Sequence, residues 1–268
     1  MMAKVLDEIL ATKRAEIESA KKRLPLETLQ EEIRELPKCR NFYRTLTRQH
    51  PRGVNVIAEI KRASPSAGLI REDFDPVWLA QAYEQAGADA ISVLTDGPYF
   101  QGKLEYIAQV KQAVSLPVLR KDFILDPYQV YESRAAGADA ILLIAEALKP
   151  AEIMDLMILA NSLTLTVLLE VHEMESLLQY RSMIGFPQER YSLLGINNRN
   201  LQTMKVDLNT SLRLGELVEN KSELVSESGI KERRDVERLI EAGFNGILIG
   251  ETLMRSENIA AKFAELFG

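Results

Sequence analysis

The sequence predicts a closed (β/α)8 barrel behind a helical front section, and three observations carry that prediction. From Val54 onward, short apolar runs and amphipathic stretches alternate eight times within about 215 residues. The segment AGADAI stands at Ala86–Ile91 and again at Ala136–Ile141, with a weaker copy, AGFNGI, at Ala242–Ile247. No GxGxxG turn follows an early strand. Strand–helix alternation means a parallel sheet, and eight units of this size suit a closed barrel better than an open doubly wound sheet. An open sheet would usually announce a nucleotide through that glycine turn. The repeat supplies the local logic: a helix ends at a glycine and feeds a buried strand.

Taken in order, Val5, Leu6, Ile9, Leu10 and Ile17 recur at helical spacing between charges, which predicts an amphipathic helix over about 3–22. Pro25 ends it, a second helix over about 26–36 stops at Pro37, and a connection through Pro51 and Gly53 leads to the first strand. The expected division is residues 1–53 as an N-terminal helical extension and 54–268 as the barrel, one domain overall. Periodicity leaves open whether the extension packs on the barrel or meets another subunit. Strands are expected near 55–61, 89–95, 117–122, 139–145, 164–171, 192–197, 223–228 and 246–250, each a short apolar run such as AILLI or TVLLEV. Helices are expected between them, near 77–86, 103–113, 127–136, 150–161, 173–182, 209–219 and 231–242, with a last one near 256–267.

Composition narrows the function. With 268 residues, 46% apolar and 27% charged, the chain has the make-up of a globular protein with a full core. Its net charge of -6 argues against a nucleic-acid partner, so an anionic ligand must be held by a local pocket. A lone Cys39 allows no internal disulfide, the first 22 residues mix acids and bases instead of forming an apolar leader, and no apolar run approaches a membrane span. These features predict a cytoplasmic protein with no membrane partner.

Chemistry is expected first at VIAEIKRASPSAG, Val56–Gly68. Glu59 and Lys61 are two apart on a strand and share a face, and the chain then opens through Ser64 into a loop with turn chemistry. A barrel places its active site at the C-terminal strand ends. Other strands do end in polar groups: Lys121 and Asp122 on the third, Glu170 on the fifth, Asn197 and Arg199 on the sixth, Glu227 and Ser228 on the seventh. Any one could simply meet solvent there, but Glu170 between Leu169 and Val171 is costly unless it is paired or faces a polar cavity. The seventh and eighth loops begin SESGI and IGETLM, so Gly229, Gly250 and the Glu251 amide form a candidate phosphate site facing Ser64. His50 and His172 have no ligand spacing around them, which predicts no metal site and structural or surface roles for both. No GxSxG elbow is present. Lysines and glutamates are therefore the expected workers, and residue type alone leaves Schiff-base and general-acid chemistry both open.

The set AEIKRASPS, PVLRKDFI, LLEVH, GINNRNL, SESGI and IGETLM, in this order and spacing, resembles the indole-3-glycerol phosphate synthase family, over essentially the whole chain. One departure is Ala67, where many relatives carry lysine in SPSKG; a loop lysine's contribution to phosphate binding or closure is thereby missing. The resemblance implies a TIM barrel with the helical extension lying over its mouth, and a lyase of tryptophan (aromatic amino acid) biosynthesis needing no cofactor. Its substrate would be a phosphorylated small molecule, 1-(2-carboxyphenylamino)-1-deoxyribulose 5-phosphate, which undergoes ring closure, decarboxylation and dehydration.

The same resemblance implies the roles. Lys121 is the general acid, Glu170 moves protons during dehydration, Glu59 acts as acid or base, and Lys61 supports the carboxylate or relays a proton. Arg199 holds the anthranilate carboxylate, Asn197 fixes a sugar hydroxyl or the developing charge, and Glu227 and Ser228 complete the polar wall. Phe100, Phe123, Leu142 and Leu201 match the apolar slot for the aromatic ring, although such residues also fill ordinary barrel interiors. Ser64, Gly229, Gly250 and Glu251 take the phosphate, and the protein is expected to be a monomer. Two alternatives remain open: a Schiff-base aldolase using Lys121 covalently, and a barrel that binds a phosphorylated ligand without turnover.

Overall fold

The structure is a computed structural model that describes residues 3–200 and 203–268. Eight strands close into a barrel: β1 (Asn55–Ile60), β2 (Ala90–Leu94), β3 (Val118–Lys121), β4 (Ala140–Ile144), β5 (Thr166–Val171), β6 (Ser192–Asn197), β7 (Leu224–Glu227) and β8 (Gly246–Ile249). Every neighbouring pair is parallel, and β1 closes the ring by pairing Ile57 with Ala90 of β2 and Val56 with Ile247 of β8. The open-sheet alternative is thereby excluded. The strands are buried along their length because helices cover the outside while Ile57, Ala90, Leu119, Ala140, Leu142, Leu168, Leu193, Val225 and Leu248 fill the inside.

The helices are α1 (Ala3–Arg23), α2 (Leu26–Arg34), α3 (Phe42–Thr47), α4 (Pro76–Ala86), α5 (Glu105–Ala113), α6 (Pro127–Ala135), α7 (Pro150–Ser162), α8 (Met174–Tyr180), α9 (Asn209–Gly215), α10 (Arg233–Glu241), α11 (Glu251–Met254) and α12 (Ile259–Phe267). Two were not expected, α3 and α11, six and four residues long, too short to show a helical period. The expected helix over 173–182 divides into α8 and a 3-10 turn at Arg181–Met183, and the one over 209–219 stops at Gly215.

The repeat has a structural explanation. Gly87, Gly137 and Gly243 sit at φ +98, +92 and +89, a left-handed turn that a residue with a Cβ adopts at a cost. Two residues on, Asp89 accepts the Val56 backbone N–H at 2.8 Å and Asp139 accepts that of Val118 at 2.8 Å, pinning the start of the preceding strand. Asn245, the weak copy's counterpart, donates instead to the Leu46 carbonyl.

The extension serves both ends of the barrel. Phe42 and Leu46 of α3 are 0% and 1% exposed within the inner cluster, so α3 plugs the N-terminal floor. α1 crosses the opposite, C-terminal end. Its Lys13 is buried between Asp96 and Asp122 at 2.8 and 2.9 Å, and Tyr128 of α6 donates to the Ala20 and Leu24 carbonyls. α1 therefore packs on the barrel, and only part of the extension lies over the mouth; a six-residue helix without a readable period hid the other part.

Candidate active site

A cavity of about 620 Å³ opens at the C-terminal end of the barrel. It is lined by Glu59, Lys61, Ser64, Phe100, Lys121, Phe123, Leu142, Glu170, Asn197, Arg199, Glu227, Ser228, Gly229, Gly250 and Glu251. The structure thus brings together every residue expected at the site except Leu201, which lies outside the described residues. Strand geometry explains the gathering: the polar side chains stand at or past the ends of β1, β3, β5, β6, β7 and β8, while Leu142 comes from within β4 and Phe100 from the loop after β2.

Five ionisable groups form the centre. The Lys121 ammonium lies 2.7 Å from Glu170 Oε2 and 3.3 Å from Glu227 Oε2, and Lys61 donates to Glu59 Oε1. Burial works against the Lys121 charge, but Glu170, Glu227 and Glu59 outweigh it and hold the lysine above its ordinary range. Burial likewise opposes the Glu170 anion, yet Lys121 and His172 outweigh it and keep that carboxyl well below the usual carboxylate range. Glu227 goes the other way: burial and then repulsion from Glu170 push it up to about 8 against the pull of Lys121. Neither Glu227 oxygen has an aligned hydrogen-bond partner among the described residues.

Two glycines make room for these carboxylates. A Cβ at Gly195 on β6 would collide with Glu227 Oε1, and one at Gly250 would collide with Glu59 Oε1. Gly250 therefore has a second reason to lack a side chain besides the backbone approach expected for a phosphate. Ser228 adopts a left-handed φ of 67, rare for a residue with a Cβ, where the chain leaves β7 for the seventh loop.

The apolar part of the lining holds Phe100 and Phe123, with ring centroids 6.3 Å apart, together with Leu142, Leu94, Ile144 and Val5, Leu6 and Ile9 of α1. In the loop-lined part, the first loop folds into a hairpin pairing Ser64 with Gly68, and Ser64 Oγ accepts the Ala67 N–H at 3.2 Å. Arg199 donates to Ser66 Oγ at 3.2 Å and the Met204 carbonyl at 3.3 Å, and approaches Glu251 at 4.0 Å. Its guanidinium thus stands beside the loops expected to take phosphate. Asn197 Oδ1 accepts the Arg199 N–H at 2.9 Å and orients that loop. The Glu251 side chain pairs with Arg255 at 2.9 Å.

Sequence reasoning missed three features in or beside the cavity. The apolar face of α1 was visible as a pattern, but not its destination. Lys13, with Asp96 and Asp122, anchors that helix. His172, expected to be structural or at the surface, is buried against Glu170 and Glu146. Its position two residues after Glu170 on a strand was the available signal, because such residues share a face. Among the described residues no group of three or more His, Cys, Asp or Glu side chains is arranged to hold a metal ion.

The fold and the mouth define a (β/α)8 barrel whose C-terminal cavity combines buried, paired acids and bases with an apolar lining. The same barrel occurs in the solved structure of a 3-hexulose-6-phosphate synthase (TM-score 0.60, 18% identity, 80% of this chain and 98% of that one). It occurs also in a thiamine phosphate pyrophosphorylase from Pyrococcus furiosus (TM-score 0.57, 17% identity, 80% and 94%); both likenesses concern the fold alone. The family profile of indole-3-glycerol phosphate synthase matches residues 6–266. Proteins of that name from Rhodopirellula baltica and Neisseria meningitidis serogroup B are each 46% identical to the chain, covering 95% and 99% of it and 95% and 100% of their own lengths. The chain belongs to the indole-3-glycerol phosphate synthase family. No helix among the described residues is long and apolar enough to cross a membrane.

Proposed function

We propose that the charged centre of the mouth carries out the family's reaction with Lys121 and Glu170 as its principal acid and base. The chain is a carboxy-lyase of tryptophan biosynthesis that converts 1-(2-carboxyphenylamino)-1-deoxyribulose 5-phosphate to indole-3-glycerol phosphate. The observation that carries the residue assignment is the Lys121–Glu170 contact at 2.7 Å between an apolar slot and a loop-lined anion end.

In this reading the aromatic ring lies between Phe100 and Phe123 against Leu142, and the phosphate rests on Ser64, Gly229, Gly250 and the Glu251 amide. Lys121 protonates the ketone oxygen as the ring carbon bearing the carboxylate attacks the ketone carbon. Carbon dioxide leaves from that ring carbon, and the electron pair of the broken bond restores the aromatic ring. The new hydroxyl must then leave as water while the neighbouring CH2 gives up a proton. Glu170, which starts without a proton, accepts it. Glu227, pushed up to about 8, still carries a proton at neutral pH and is suited to assist the leaving hydroxyl with Glu59. Lys61 and Arg199 balance the carboxylate and phosphate charges, while Asn197 and Ser228 fix the sugar hydroxyls.

The reading further takes residues 1–53 as an extension of one barrel domain, 54–268. It takes the enzyme as a monomer, since one chain supplies every group named, and as cytoplasmic, since the lone Cys39 leaves no internal disulfide. The test is the appearance of indole absorbance and fluorescence from the synthetic substrate, in parent and Lys121→Ala enzyme. Borohydride trapping during turnover separates the aldolase alternative: a mass adduct on Lys121 would overturn the general-acid role.

A further inference from the structure

Glu170 has two carboxylate oxygens, and the structure divides them. Oε2 faces Lys121 at 2.7 Å; Oε1 lies 3.1 Å from His172 Nε2, a charge contact without an aligned hydrogen bond among the described residues. His172 is itself clamped. Glu146, in the 3-10 turn Ala145–Ala147 that follows β4, takes the His172 backbone N–H on Oε1 at 2.9 Å and the ring Nδ1 on Oε2 at 2.8 Å. A bidentate grip of this kind fixes both the position of the residue and the plane of its ring. The His172 side chain is 4% exposed, so its ring has little solvent with which to exchange partners.

We propose that His172 is a positioning residue for the reaction: clamped by Glu146, it presents a positive ring edge to Glu170 and holds that carboxylate, as proton acceptor, against Lys121. This rests on the assignment of Glu170 as base. The physical need is specific. Glu170 and Glu227 share the buried mouth, and Lys121 approaches both, at 2.7 and 3.3 Å; a second cation on Glu170 alone reinforces that bias and keeps the shared proton on Glu227. The charged groups facing His172 are Glu146 from the turn after β4 and Glu170 from β5; Lys121 on β3 and Glu227 on β7 reach it only through Glu170. Burial opposes a charged ring here, and the two flanking carboxylates outweigh it, raising His172 to about 10. Glu146 is in turn held below its ordinary range, against burial, by its bonds to His172 and Ser176.

The test is the pH dependence of turnover in His172→Gln and Glu146→Gln, with the imidazole 15N signals of the intact protein as a second reading. An opposite charge at this distance moves a carboxyl by about 1–3 pH units. His172→Gln keeps an N–H for Glu170 but loses the charge, so the acid limb of kcat should move up by about one unit or more. KM should change little, and most of the lost rate should return at higher pH. Glu146→Gln should move the limb the same way by less. A merely structural histidine would lower kcat equally at every pH, and that result overturns the proposal.

The chain has two histidines, so His50→Gln assigns the two ring signals. In the parent enzyme the His172 ring should be doubly protonated at pH 8; a neutral ring there overturns the proposal even if the variants fail to fold. Retained turnover in Glu170→Gln would reject the base assignment itself. Loss of turnover there, with an unmoved limb in His172→Gln, would reject only the positioning role.

Discussion

At the floor of the barrel, Asp139 accepts the Arg40 N–H at 2.6 Å and the Val118 N–H at 2.8 Å, and pairs with Lys111. At the mouth, Glu227 is just as buried, yet its nearest cation is 3.3 Å away and neither oxygen makes an aligned hydrogen bond among the described residues. One carboxylate is saturated and the other is left wanting. Saturation fixes a strand start and a charge state; a carboxyl raised to about 8 still holds a proton at neutral pH and is poised to exchange it with a substrate. The contrast predicts that substitutions at the mouth cost rate and substitutions at the floor cost stability.

The largest expected effect is at the mouth. Positioned acids and bases contribute on the order of 10² to 10⁴ in rate. Lys121→Ala and Glu170→Gln should each lose at least that much kcat while still binding substrate through its phosphate, as measured by steady-state kinetics and by titration calorimetry. Lys121→Arg should not restore the rate, because a guanidinium is too basic to donate readily and has a different shape. Near-parental turnover in any of the three would remove that residue from the chemistry.

The converse break is at the floor. Asp139→Ala leaves Lys111 and two backbone N–H groups without their partner, and removing one side of a buried pair typically costs about 3–5 kcal/mol. Urea denaturation should show a loss of that order, while kcat of the folded fraction stays near the parent's. A large fall in kcat with unchanged stability would mean the two ends are not separate in this way.

A smaller effect should come from Gly195, which no chemistry requires. Gly195→Ala would push a methyl group into the space of Glu227 Oε1 and within 3.3 Å of Leu168. Overpacking of this kind costs about 1–3 kcal/mol. A displaced catalytic group can lose up to about 10² in rate. Parental kinetics in this variant would show that Glu227 need not stand where it does.

The floor was more legible in the sequence than the mouth. AGADAI recurs because each copy does the same local work: a left-handed glycine, then an aspartate that caps a strand start. The eight strands were legible for the same reason, since burial on both faces writes itself as a short apolar run. The mouth was legible as a list, because Glu59, Lys121, Glu170 and Glu227 are charges in places where burial disfavours them. The pairing was hidden. That Lys121 chooses Glu170, that Gly195 makes room for Glu227, and that Glu146 reaches His172 all depend on how separate strands stand in register, which no local period encodes. His172 was expected to be structural or at the surface, and its contact with Glu170 stayed hidden because only metal-ligand spacing was sought around it; α3 was missed because six residues are too few to show a period.

The finest test of the contrast is the pH dependence of stability at Glu227. Its carboxyl is raised from 4.5 to about 8 in the folded protein, so the folded state binds that proton more tightly than the unfolded chain. Its contribution to stability is therefore full below about pH 4.5 and is lost as pH rises towards 8. Glu227→Gln removes the titration and keeps the shape. Its melting temperature should lie at or slightly below the parent's at pH 5 and should exceed it at pH 8.5. Each kcal/mol of difference should appear as about 2–4 °C for a chain of this size. The same variant should turn over more slowly at both pH values, since the carboxyl that burdens the fold is the one suited to pass a proton. A melting difference that stays constant from pH 5 to 8.5 would show that Glu227 is as well satisfied as Asp139, and would remove the distinction between the two ends.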